Sequence, residues 1–171
     1  MKKLVVLLLV VLLPAFAFAD FQIGGVGMYK GTIEQLKAKD VGVEDFTFGG
    51  EARIKLGIFQ GGLTALYYPE DLTRSAAIVA LTDVGLSFDL LFLRLGAGIG
   101  PNFAIPVGDS GAGDPLKLGL NMKLSTDFML GKLSLGLVGF YYLESLKDLK
   151  NIGDVFKEMP WLGITAMFKL F

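Results

Sequence analysis

Three charged side chains stand at alternate positions in "GEARIKLG": Glu51, Arg53 and Lys55. A carboxylate set between cations can serve as a general base, as a metal ligand or as one member of an ion-pair network. The familiar catalytic constellations lack their parts. The chain contains no His and no Cys, so "GDSG" at 108–111 offers Ser110 with no base to activate it. That segment reads as Gly/Asp/Ser turn chemistry. "GAGIG" at 96–100 follows an apolar run, as a phosphate-binding turn would, but Pro101, Asn102 and Phe103 do not begin a helix. Asp109 and Asp114 are too few to argue for calcium, and no spaced His/Cys set exists for a transition metal. No cofactor or metal is therefore expected, and a formal net charge of -1 gives nucleic acid no basic footprint.

What the charges do depends on the elements that carry them. From Phe46 to Ile58 the even positions are Phe46, Phe48, Gly50, Ala52, Ile54, Leu56 and Ile58, and the odd ones include Thr47, Glu51, Arg53 and Lys55. Period two means a strand with one apolar and one charged face. The same pattern sets Leu116, Leu118, Leu120, Met122 and Leu124 against Lys117, Asn121, Lys123 and Ser125. Ile78–Asp89 alternates with Asp83, Ser87 and Asp89 on its polar face, and Leu91–Gly100 carries Arg94 and three glycines opposite its leucines. Leu133–Leu143 alternates less cleanly, and 21–30, 63–68 and 161–171 are weaker candidates, which makes eight strands.

The first residues, "MKKLVVLLLVVLLPAFAFAD", combine Lys2 and Lys3, an apolar run from Leu4 to Leu13, and small residues at Ala17 and Ala19. This is the pattern of a secretory signal peptide over 1–19. The run falls short of the roughly 20 residues a spanning helix needs. Cleavage would leave a single domain at 20–171 and take the formal charge from -1 to -3 by removing two lysines. The composition is 53% hydrophobic with mean hydropathy +0.57, yet no later stretch is long enough for a membrane helix.

The connections settle how such a chain hides its apolar residues. They run long (31–45), short (59–62), medium (69–75), short (around 90), long (101–115), short (129–132) and long (144–160). An even number of antiparallel strands with short turns at one end and longer loops at the other is the signature of an all-β, up-and-down transmembrane barrel. Tyr29, Tyr67, Tyr68, Tyr141, Tyr142 and Trp161 fall at strand ends beside the longer loops, where an outer aromatic girdle is expected. Phe21, Phe59, Phe88, Phe92, Phe128, Phe168 and Phe171 fall at the opposite ends.

On this architecture and the final Phe171, the chain resembles small outer-membrane barrels of the OmpA transmembrane-domain and OmpX type. The resemblance implies an eight-stranded barrel in the cell outer membrane, in contact with the bilayer and its lipopolysaccharide or equivalent outer-leaflet lipid. It also implies delivery by the barrel-assembly machinery, which in these families reads a last strand ending in Phe. Barrel-borne hydrolases and acyltransferases use a His base that this chain lacks. In Leu162–Leu170 the oilier parity puts Phe171 with Thr165 and Lys169. Either Phe171 lies below the bilayer or Lys169 snorkels from the lipid face.

In such a barrel Glu51, Arg53, Lys55, Asp83, Asp89, Arg94, Lys117, Asn121 and Lys123 face the lumen, since a Lys or Arg facing lipid at the midplane costs about 2 to 4 kcal/mol. An eight-stranded lumen is only wide enough to be filled by side chains, which favours an ion-paired core and a monomeric structural or surface-interaction protein without catalysis. Interior glycines and a small surplus of basic residues keep open a narrow, OmpW-like channel for small solutes. The loop segments 32–39 and 144–158 can form short amphipathic helices, either as solvated surface or as the docking site of an extracellular partner. A soluble lipocalin-like carrier is the third reading, and it reverses which face of each strand is inside.

Overall fold

A computed structural model describes residues 19–31, 33–38, 41–69, 76–107, 117–143 and 160–171. All but the last residue of the expected signal peptide at 1–19, the GDSG segment, Asp109, Asp114 and the helix expected at 144–158 lie outside the described residues. Eight strands run in chain order: β1 (Asp20–Tyr29), β2 (Phe46–Leu56), β3 (Phe59–Tyr68), β4 (Ala77–Leu90), β5 (Leu93–Pro106), β6 (Lys117–Leu130), β7 (Leu133–Leu143) and β8 (Trp161–Lys169). Each pairs antiparallel with the next, and β8 pairs with β1 to close the sheet. A short helix α1 (Ile33–Ala38) lies in the first long connection, inside the segment whose periodicity suggested one.

The register fixes the barrel's dimensions. Partners run across the wall from Gly24 through Glu51, Thr64, Leu81, Asn102 and Gly119. In the other direction partners run from Tyr29 through Leu162, Gly139, Leu124, Ala97, Leu86 and Phe59 to Leu56. Leu56 lies one step beyond the Asp20–Lys55 pair, so the circuit returns at position 19, a shear of 10 residues. For eight strands this gives a tilt of about 40° and a backbone radius of about 8 Å, which inward side chains fill.

Two turns differ from the sequence expectation. The segment 59–62 is strand rather than turn, because Gly57, at φ 61°, makes a two-residue turn with Ile58 and leaves Phe59 to pair with Leu56. Gly131 at φ 69° does the same with Lys132, as the first position of such hairpin turns requires. The expected loop from 101 also begins later, since β5 continues through Pro101 to Pro106. Pro101 has no N–H to give β4, and the β4–β5 register skips Thr82 and Asp83. Asn121 Nδ2 reaches into the gap and donates to the carbonyls of Thr82 (3.0 Å) and Gly100 (2.9 Å). Asn121 thus repairs the wall and takes no part in the charge network.

Alternation sorts the side chains cleanly. Phe48, Val84, Ile99, Leu124, Leu137 and Ile164 are exposed on the outside, and none of the outward positions of β1–β8 carries a charge. Glu51, Arg53, Asp83, Arg94, Lys123 and Asp127 are buried inside. The last strand follows its oilier parity outward, and Lys169 turns inward to within 3.4 Å of Asp20, so it does not snorkel from the outer face. The regular ladder ends at Lys169, and beyond it Leu170 N and Phe171 O both bond to Phe21, so two residues face one and Phe171 leaves the alternation. Its ring stacks on Phe21 at 5.6 Å, and its carbonyl accepts from Phe21 N, fastening the seam.

Candidate functional site

The lumen is built in two halves of different chemistry. On the turn side, charged residues from six strands form two alternating chains. The deeper one runs Asp83, Lys123, Glu51, Arg53, Asp127. Glu51 accepts from Arg53 Nε at 2.5 Å and also from Lys123 Nζ. Arg53 Nη1 donates to Asp127 at 2.6 Å, and Lys123 reaches Asp83 at 3.3 Å. Every side chain of this group is at most 2% exposed.

Nearer the turns, the second chain runs Lys169, Asp20, Arg94, Asp89, Lys55. Arg94 bridges Asp89 (Nε, 2.7 Å) and Asp20 (Nη2, 2.6 Å), and Lys55 holds the other oxygen of Asp89 at 2.6 Å. Three acids and two cations in the first chain face three cations and two acids in the second. Among the described members of the two chains the charges cancel. Asp20, Asp127 and Lys169 are the members that sequence reasoning missed. Asp127 shares the parity of Asn121 and Lys123, and ending that strand at Ser125 lost it.

Three of the inward glycines are occupied by neighbouring side chains. A Cβ on Gly62 or Gly98 would run into the Asp83 carboxylate, and one on Gly136 would meet Asp127 and Thr165. These glycines are the seats of two of the three deep acids, Asp83 and Asp127, and the carboxylates occupy the room the glycines make.

The loop-side half is mainly apolar, with Thr47 and Asn102 donating to wall carbonyls. Val26, Met28, Leu66, Val79, Leu81, Val138 and Phe140 form one buried cluster inside the wall. Lys123 joins the halves, its ammonium 5.5 Å from the Phe140 ring centroid. Above the cluster Trp161 stacks on Tyr142 at 4.9 Å and meets Tyr68 at 5.9 Å, while Lys30 lies over the Tyr68 ring. Tyr68, Tyr142 and Trp161 therefore pack inward against this cluster, where the sequence reading places them in an outer girdle. Period two requires this, because the neighbours in Tyr67–Tyr68 and Tyr141–Tyr142 must face opposite sides. Tyr67 and Tyr141 take the outer face. Tyr29 is also on that side, tilted against Phe46 at 5.4 Å. Together with Val41, Val43 and Ile164 it lines a cleft of about 620 Å³ on the outer wall.

Of the sequence-derived lumen residues, Glu51, Arg53, Lys55, Asp83, Asp89, Arg94 and Lys123 all enter the ion-pair chains. Lys117 opens β6, and its side chain lies outside the described residues. Among the described residues no group of acids is placed to hold a metal ion.

Fold and site together define a closed, eight-stranded, antiparallel up-and-down β-barrel with an ion-paired lumen and an apolar exterior. Comparison with protein-family models, with curated proteins and with solved structures finds no match to this chain.

Proposed function

We propose that this barrel is an outer-membrane protein with a structural or surface-interaction role, and that its lumen is a sealed, ion-paired core with neither catalytic nor conducting function. The observation that carries the reading is the sidedness of the wall, with charges paired inside and a continuous uncharged surface outside. The outward run from Ile78 to Leu90, tilted by about 40°, covers roughly 30 Å along the barrel axis, close to the thickness of a bilayer's hydrocarbon core. An exterior of this extent far exceeds the apolar patches of a few hundred Å² that water-soluble monomers expose. A lipocalin-like carrier would need the opposite arrangement, with an oily interior from end to end.

Under this reading the wall contacts the bilayer and its lipopolysaccharide or equivalent lipid, and the barrel-assembly machinery inserts it. The long connections would offer the surface for an extracellular partner. The channel reading is less well supported, since Asp83 and Asp127 fill the space at Gly98 and Gly136 and the charges of the two chains balance. Planar-bilayer recording of the refolded protein tests this directly. Membranes shown to contain the protein should give no unitary steps, whereas steps that change with Arg53→Gln would make the lumen a conduit.

A further inference from the structure

One turn differs from the other two on its side of the barrel. Gly57–Ile58 and Gly131–Lys132 put glycine where φ is positive, but the β4–β5 turn puts Leu91 there, at φ 55°. A leucine in the left-handed region costs about 1 to 2 kcal/mol. Strain of this kind persists where the side chain is needed.

Leu91 makes little use of that position within the protein, being 93% exposed. Around it the chain reads Leu90, Leu91, Phe92, Leu93, with no polar side chain at the tip. Phe92 leans on Phe128 at 5.1 Å, which holds the tip apolar and outward. The hairpin also projects: Phe59, the first residue of β3, pairs with Leu86, and Ser87 N bonds to Ile58 O, so β4 runs on past the β2–β3 turn. The nearby charges face the other way, with Asp89 and Arg94 bound to each other and to Lys55 and Asp20 inside the lumen. By contrast, the β6–β7 turn presents the exposed Lys132.

We propose that the Leu90–Leu93 tip is a lipid anchor, held among the acyl chains of the leaflet on the short-turn side. The tip then lies in hydrocarbon, while the neighbouring β6–β7 turn keeps Lys132 at the aqueous surface. This rests on the membrane reading above and goes beyond it. The anchor continues the apolar outer wall without a break through Phe88 and Leu90, and an uncharged tip beside an uncharged wall fits hydrocarbon better than water.

The absence of native cysteine makes the test clean. Leu91→Cys, Phe92→Cys, Lys132→Cys and Val84→Cys, each labelled with a small fluorophore, are refolded into phosphatidylcholine vesicles carrying brominated acyl chains. The anchor predicts that labels at 91 and 92 lose fluorescence as strongly as the mid-wall label at 84, while the label at 132 keeps it. Labels at 91 and 92 as bright as that at 132, with 84 still quenched, would overturn the anchor and leave the membrane reading standing. Labels at 91 and 92 shielded from both bromine and aqueous quencher would mean a protein partner, such as a second copy, and would overturn it equally. An unquenched label at 84 would bring down the membrane reading itself.

Discussion

Glu51→Ala is expected to cost the folded barrel about 3 to 5 kcal/mol, the range for removing one partner of a buried ion pair. Glu51 accepts from both Arg53 and Lys123, which are themselves almost wholly buried. Its loss leaves two cations in a closed space with only Asp127 and Asp83 for company. The midpoint and slope of urea unfolding, followed by sheet circular dichroism in lipid or detergent, report the change. Replacing Lys123 by Met in the same background should deepen the loss, because it also strips the buried Asp83 of its cation. Asp89→Asn is the control. Its side chain is 40% exposed at the turn-side end, and its loss should cost about 1 kcal/mol or less. A Glu51→Ala barrel as stable as the Asp89→Asn one would mean that the deep chain does not hold the interior together.

Val84→Arg is expected to destabilise the vesicle-bound barrel by about 2 to 4 kcal/mol, the depth-dependent penalty for an arginine facing lipid near the midplane. Val84 lies midway between Ile78 and Leu90 on the outward face of β4 and is 71% exposed. On a water-facing surface the same change would stay within about 0.5 kcal/mol. Arginine at an outward position beside the turns should cost far less, and a penalty that does not depend on depth would argue against a bilayer around the wall.

The parts of this molecule that sequence makes legible are those where the two faces of a strand differ. β2 could be read residue by residue because Glu51, Arg53 and Lys55 alternate with Ala52, Ile54 and Leu56. Closure, strand number and the placement of turns and loops at opposite ends follow from such strands and their spacing. The loop-side half of the lumen was hidden because both faces are mainly apolar there. Val138 and Phe140 face inward between Leu137 and Tyr141, so no period survives to tell core from exterior.

Other features depend on contacts between distant strands. Asn121 looks like one more lumen polar group until Pro101, two strands' width of sequence away, is seen to leave Thr82 O in need of a donor. Gly98 looks like open space until Asp83 is found resting on it. The local pattern places each on the inner face, but only the register shows what it meets. Phe171 marks another limit, because alternation ceases with the regular ladder and its parity then predicts nothing about the ring's direction.

The central claim is that the uncharged exterior belongs against lipid, and flotation of refolded residues 20–171 with lipid vesicles tests it most directly. The account predicts that the protein rises with the vesicles through a density gradient, stays with them through high salt and alkaline carbonate, and aggregates when lipid and detergent are both withheld. A folded, monodisperse barrel recovered from the aqueous fraction by salt alone, stable without any amphiphile, would contradict it.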